Sequence, residues 1–204
     1  MPRYKDAERD QAVSETRQLL LDAAAAEFAR EGYVGANVNH IAQAAGFAKG
    51  TIYNYFPSKR ALMHALIDEV AAAHAAYIAA RVEPETDPRR RVERFFEAGF
   101  AFVTEHLARA RAMVTVLYGP DAEFNAYLYR AYQPMFRTVA ETIIGPGVAQ
   151  GIFRPVDVEG AAQLVMTLYL GTGSQVDEAG RPWFDHRAVA DFAWHALRAL
   201  PDNG

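Results

Sequence analysis

The sequence predicts an all-α chain in two parts, and three observations carry that prediction. Apolar residues recur at helical spacing from end to end, no stretch alternates at the period of two that a half-buried strand requires, and proline and glycine fall mostly at junctions between periodic runs. The 204 residues, 51% of them hydrophobic, are enough for a small first domain and a larger second one. The first is expected over residues 14–74, with a helix-turn-helix at 37–56 and a connecting helix reaching about 82. The second is expected over 88–200.

The first helix carries Leu20, Ala24 and Phe28 at steps of four, with Leu21 and Ala25 beside them, and ends at Gly32. Val38, Ile41, Ala42 and Ala45 then fall at i, i+3, i+4 and i+7, one face of a short helix. Asn37 precedes that run, and its amide oxygen can accept a bond from a first-turn N–H. The acid of a reciprocal capping box is missing, with His40 in its place. Gly46 can adopt the left-handed backbone of a tight turn. Ile52 and Phe56 dock a second short helix on the first and leave Lys49, Thr51, Asn54 and Tyr55 projecting at least partly outward. Pro57 stops that helix, and Ser58 can cap the next. This fourth helix runs from about Lys59 to Val82, with Leu62, Leu66, Ile67, Val70, Tyr77 and Ile78 as its buried stripe. Acid and proline punctuation from Glu83 to Pro88 ends it. Further helical patterns occupy about 88–107, 108–119, 121–145, 157–176 and 185–199.

Two short helices joined by a glycine turn, the second with a polar outer face, are what a protein uses to enter the major groove of DNA. The charge distribution agrees. The chain is acidic at net −4, yet Gly32 to Arg60 contains no Asp or Glu and does contain Lys49, Lys59 and Arg60. Arg3, Lys5 and Arg9 form either an additional basic arm or, because Asp6, Glu8 and Asp10 alternate with them, a disordered leader. An amide such as Asn39 or Asn54 can pair with the N6 and N7 of adenine, and Lys49 with guanine. The same polar residues also suit the solvated face of a small helical domain.

From about Ser14 to His74 the chain resembles the DNA-binding domain of the TetR/AcrR family of bacterial one-component regulators. TRQLLLDAAAAEFAREGY resembles the family's first helix, IAQAAGFAKGTIYNYF its helix-turn-helix, and SKRALMHALIDEV the start of its connecting helix. The resemblance covers about a third of the chain. It implies that Asn39, Lys49, Gly50, Thr51, Tyr53, Asn54 and Tyr55 approach bases or phosphates and that Lys59 contacts phosphate. Asn37 is counted with them at the start of the motif. Ala48 stands where relatives commonly carry a hydroxyl, so no side-chain contact is expected there.

Ten Phe or Tyr lie between Val92 and Phe136, denser than in the chain as a whole, and suggest an apolar pocket between helices. The candidate lining is Phe95, Phe96, Phe100, Met113, Tyr118, Phe124, Tyr127, Tyr132, Met135 and Phe136; ordinary core packing is the competing reading for each. The resemblance implies a small-molecule effector in this region, and the aromatic content suits an apolar or aromatic one. A cationic ligand would instead call on Glu97, Glu105 or Glu141. In the last two helices Ala161, Leu164, Val165, Leu168, Tyr169, Phe192, Trp194 and Leu197 are apolar around more than one face, which fits a homodimer interface.

Enzymatic readings fail on the motifs. AAGFAKGT has Lys-Gly-Thr rather than Gly-Lys-Thr and follows no strand; Ser14, Ser58 and Ser174 lie in no G-x-S-x-G elbow. There is no cysteine, and the six histidines show no metal-helix spacing, so no catalytic residue, metal or cofactor is expected. A cytoplasmic location is expected from the DNA reading, and no apolar run is long enough for a membrane span, nor is a signal-peptide core evident. The reading is a ligand-responsive transcriptional repressor that binds a palindromic double-stranded operator as a dimer. The alternative is a helical metabolite- or protein-binding module with little specific DNA binding.

Overall fold

Eleven α-helices and one π-helical segment make up the computed structural model, which describes residues 2–199, with side chains from Glu8 onward. The side chains of Arg3 and Lys5, and Leu200 at the end of the second expected domain, lie outside the described residues. The helices are α1 (Pro2–Gly35), α2 (Val38–Ala44), α3 (Lys49–Tyr55), α4 (Lys59–Val82), α5 (Pro88–Glu105), α6 (Leu107–Leu117), α7 (Ala122–Ala131), α8 (Gln133–Arg137), α9 (Gly145–Ala149), α10 (Val158–Gly173) and α11 (His186–Leu197). The π-helical segment, Thr138–Ile144, lies between α8 and α9. No helix among the described residues is long and apolar enough to cross a membrane.

Two expectations are corrected. The leader before Thr16 is helical: no Pro or Gly interrupts Arg3 to Arg30, and α1 continues upstream, with Gln11 Nε2 donating to Glu15 Oε1 at 2.9 Å. The single helix expected over 121–145 is broken into α7, α8 and the π-helical segment. Pro134 and Pro146 each lack the N–H that would continue the ladder. The Thr142 carbonyl, which Pro146 cannot satisfy, accepts from Arg91 Nη1 at 2.7 Å instead.

The chain forms two compact units, and their division cuts across the linear one. The first comprises residues 1–70 and 108–128, the second 71–107 and 129–204. In the first, Leu20, Leu21, Ala24, Ala25 and Phe28 of α1 are buried, as are Ile41 and Ala42 of α2, Ile52 of α3 and Leu62, Met63, Leu66 and Ile67 of α4.

The second unit is built on α5, whose Val92, Phe95, Phe96, Gly99, Phe100 and Val103 follow i, i+3, i+4, i+7, i+8 and i+11 and are all buried. Aspartates cap its main helices: Asp87 accepts from Arg90 N, Asp157 from Gly160 N and Asp185 from Arg187 N, at 2.8–2.9 Å. α5 and α11 lie antiparallel, since Arg89 approaches Asp191 and Trp194 while Phe100 approaches His186.

A buried polar chain crosses this apolar core. Tyr169 Oη is 2.9 Å from His74 Nε2 and 3.1 Å from the Gly99 carbonyl, and Tyr132 Oη is 3.4 Å from His74 Nδ1. A carbonyl only accepts, so Tyr169 donates to Gly99, His74 carries its proton on Nε2, and Nδ1 accepts from Tyr132. Gly99 makes room for this, because a Cβ there would stand 2.4 Å from the Tyr169 ring. Burial, and secondarily the nearby His106, lowers the His74 pKa from 6.5 to about 3.

The unfolded chain therefore binds a proton at His74 below pH 6.5 that the fold refuses down to about pH 3. The contribution of His74 is complete above that window and is lost as pH falls through it, by up to about 1.4 kcal/mol per pH unit. Denaturant unfolding between pH 6 and 5 is expected to show a steeper loss of stability in the parent than in His74→Gln. Equal slopes would remove the buried neutral histidine from the account.

Candidate nucleic-acid interface

α2 and α3 have seven residues each, too few to be stable alone, so their orientation comes from caps and neighbours. Asn37 Oδ1 accepts from Asn39 N at 2.9 Å and caps α2. Gly46, at φ 82°, makes the turn. Ala48 precedes α3 without a side-chain cap, and the backbone N–H of Phe56 closes α3 on the Ile52 carbonyl. Ser58 Oγ accepts from Ala61 N at 3.1 Å and starts α4.

The missing acid of the capping box is supplied from α1. The buried carboxylate of Glu27 accepts from the backbone N–H of Asn37 at 3.1 Å, the bond a capping-box glutamate would make. It also lies 3.4 Å from His40 Nδ1 and pairs with Arg30. Sequence reasoning missed this residue, although an acid three positions after Ala24 and one before Phe28, on the buried side of α1, was the available signal.

A second clamp is Lys59, whose ammonium donates to the carbonyls of Val34 at 3.1 Å and Ala36 at 2.9 Å and sits 4.9 Å from the Tyr33 ring centroid. These bonds use two of its three N–H groups.

The face the two helices present is polar. Asn37, Asn39, Lys49, Gly50, Tyr53 and Asn54 are exposed, Thr51, Tyr55 and Lys59 are half-buried, and Ile52 and Phe56 point into the core. The third cation of the acid-free stretch, Arg60, is paired with Asp121 and Glu123.

The expected pocket residues are divided between the units. Phe95, Phe96, Phe100 and Met135 are in the core of the second, with Tyr132 and Phe136 against it. Met113 and Phe124 are buried in the first, where Phe124 meets the Tyr33 ring edge-on at 4.5 Å. Tyr127 donates to Asp68 at 2.8 Å and stacks on His64, and Tyr118 is 68% exposed. Glu97, Glu105 and Glu141 are exposed. A surface groove of about 630 Å³ between α5 and α11 is lined mainly by charged residues, among them Arg90, Glu93, Arg94 and Arg187.

Of the apolar residues assigned to association, Ala161, Val165, Tyr169 and Leu197 pack in the core of their own unit. Leu168 and Trp194 are half-buried, while Leu164 and Phe192 stand 72% and 68% exposed.

Glu27→Ala leaves the Asn37 N–H without its acceptor and is expected to cost about 1–3 kcal/mol of unfolding free energy. Denaturant titration checks this, and an unchanged midpoint would remove Glu27 from the account of how α2 is held.

Comparison with known proteins agrees with this geometry. Residues 20–66 match the family model described as bacterial regulatory proteins, tetR family. The transcriptional repressor KstR2 of Mycobacterium tuberculosis is 28% identical over 162 residues, covering 72% of this chain and 74% of that one. A transcriptional regulator from Saccharomonospora viridis, solved in complex with choline, superposes with a TM-score of 0.77 at 24% identity, over 92% of this chain and 100% of that one. The regulator FadR of Bacillus subtilis, solved with stearoyl-CoA, gives 0.74 at 19% identity, over 87% and 95%. Residues 20–66 thus match the tetR family of bacterial regulatory proteins, and the chain shares its helical fold with the solved regulators along most of its length.

Proposed function

We propose that the protein is a ligand-responsive repressor that binds a palindromic operator as a homodimer and is released by a small apolar or aromatic molecule. The observation that carries the DNA half of this reading is the exposed set Asn39, Lys49, Tyr53 and Asn54 on two clamped short helices, in a stretch with no acid from Gly32 to Arg60. Asn54 and Asn39 supply bidentate amides for adenine, Lys49 a donor for guanine, and Tyr53, Thr51, Tyr55, Lys59 and the backbone at Gly50 address phosphate. Asn37, its side chain engaged in capping, positions the motif.

One short recognition helix binds weakly, and a two-fold dimer places two on successive major grooves. Leu164 and Phe192, with the half-buried Leu168 and Trp194, support association through α10 and α11. The effector half rests on the aromatic core of the second unit around Phe95, Phe96, Phe100 and Tyr169. Fold-mates solved with choline and with stearoyl-CoA hold ligands of different chemistry, so the ligand class is argued from this chain's own apolar interior. α4 passes from the first unit into the second, so a ligand that favours one arrangement of the second unit acts on the recognition helices through it.

The test is selection of sites from sheared genomic DNA under excess non-specific competitor at a stated salt concentration. A near-palindrome is expected. Asn54→Ala should then lose about 1–3 kcal/mol of discrimination at particular base pairs, whereas Lys59→Ala weakens binding to all sequences alike. Recovery of no enriched sequence from ligand-free protein would favour the metabolite- or protein-binding alternative.

A further inference from the structure

Arg60 is the second residue of α4, next to Lys59 and five positions beyond the end of α3. Its guanidinium faces the hairpin made by α6 and α7 within the same unit. Nη1 is 2.7 Å from Glu123 Oε2, Nη2 is 3.4 Å from Asp121 Oδ2, and the guanidinium carbon lies 4.7 Å from the centroid of the Phe124 ring. The seat is built. Phe124 is buried against Tyr33 and His64, and Asp121 Oδ1 caps α7 by accepting from Glu123 N and Phe124 N at 3.0 and 3.1 Å. One oxygen of Asp121 thus fixes the hairpin while the other faces Arg60.

Two carboxylates presented to one guanidinium reproduce what a DNA phosphate offers, because the planar fork of donors fits either anion. The pair is also exchangeable. Arg60, Asp121 and Glu123 all keep part of their surface in water, where such ion pairs hold weakly. The hairpin's flanking residues, Leu107 and Tyr129, belong to the second unit, so a rearrangement there reaches the carboxylates through the chain itself.

We infer that Asp121 and Glu123 mask Arg60 as an intramolecular substitute for phosphate, and that displacement of the α6–α7 hairpin releases Arg60 as an additional DNA phosphate contact beside Lys59. The inference rests on the DNA-binding reading above. It adds a second route of control, in which the second unit changes the charge the first unit offers to DNA.

The test measures binding of the full chain to its selected duplex as a function of salt, for the parent, Asp121→Asn/Glu123→Gln, Arg60→Gln and the triple variant. Asn caps a helix as well as Asp does, so the hairpin is retained, and thermal unfolding checks that it is. The double variant is expected to bind more tightly at low salt, with its log–log salt slope steeper by about 0.9 per subunit. Arg60→Gln alone should leave the slope of the parent unchanged, and the triple variant should lose the gain. An unchanged slope in the double variant, or a gain that persists without Arg60, would overturn the inference while leaving the DNA-binding reading intact. A parent with no salt-dependent preference for its selected site would overturn that reading and this inference together.

Discussion

The buried carboxylate of Glu27 is the contact on which the proposed DNA-reading face depends. A seven-residue helix has too few internal hydrogen bonds to offset the entropy of its own nucleation, so α2 and α3 are ordered only insofar as other elements hold them. Glu27 fixes the entry to α2 from the α1 side, while Lys59 draws the carbonyls of Val34 and Ala36 toward the start of α4. Between these opposite charges the chain from Val34 to Asn37 has little freedom. Asn39, Lys49 and Asn54, the proposed base-reading set, are therefore held in place with the ordering cost met during folding rather than on binding.

The same arrangement explains why a chain of net charge −4 can address DNA. Four acids of the first unit are paired with its own cations: Asp22 and Glu69 with Arg109, Asp121 and Glu123 with Arg60. The segment from 108 to 128 thereby adjusts the electrostatics of the first unit while being far from it in sequence. In the second unit polarity is handled by burial instead. The His74, Tyr132 and Tyr169 groups satisfy one another in a single proton direction ending at the Gly99 carbonyl. A chain of this kind specifies how α4, α5 and α10 meet more sharply than apolar contact alone does.

The helix-turn-helix was legible because its determinants are local: the cap at Asn37, the left-handed Gly46, the stop at Pro57 and the buried apolar positions Ile41, Ile52 and Phe56 all lie within twenty residues or so of one another. Glu27 was harder to see because its role depends on a partner in another helix, and nothing in the spacing of α1 marks an acid as an acceptor for Asn37. The break within 121–145 was signalled by Pro134, and the pattern reads as one helix through it because the π-helical turn keeps Val139, Ile143 and Ile144 buried. Aromatic density between Val92 and Phe136 reported burial faithfully for Phe95, Phe96 and Phe124. It carried no information on which core each ring joins, so Phe124 and Met113 were grouped with residues of the other unit.

The claim that the α2–α3 face reads DNA is tested most directly by following backbone amide resonances of the protein as a selected duplex is titrated in. Large shifts at saturation are expected to concentrate at Asn37 to Asn39 and Lys49 to Lys59, with weaker changes along α4. A saturating duplex that leaves those amides unmoved and perturbs the second unit instead would contradict it.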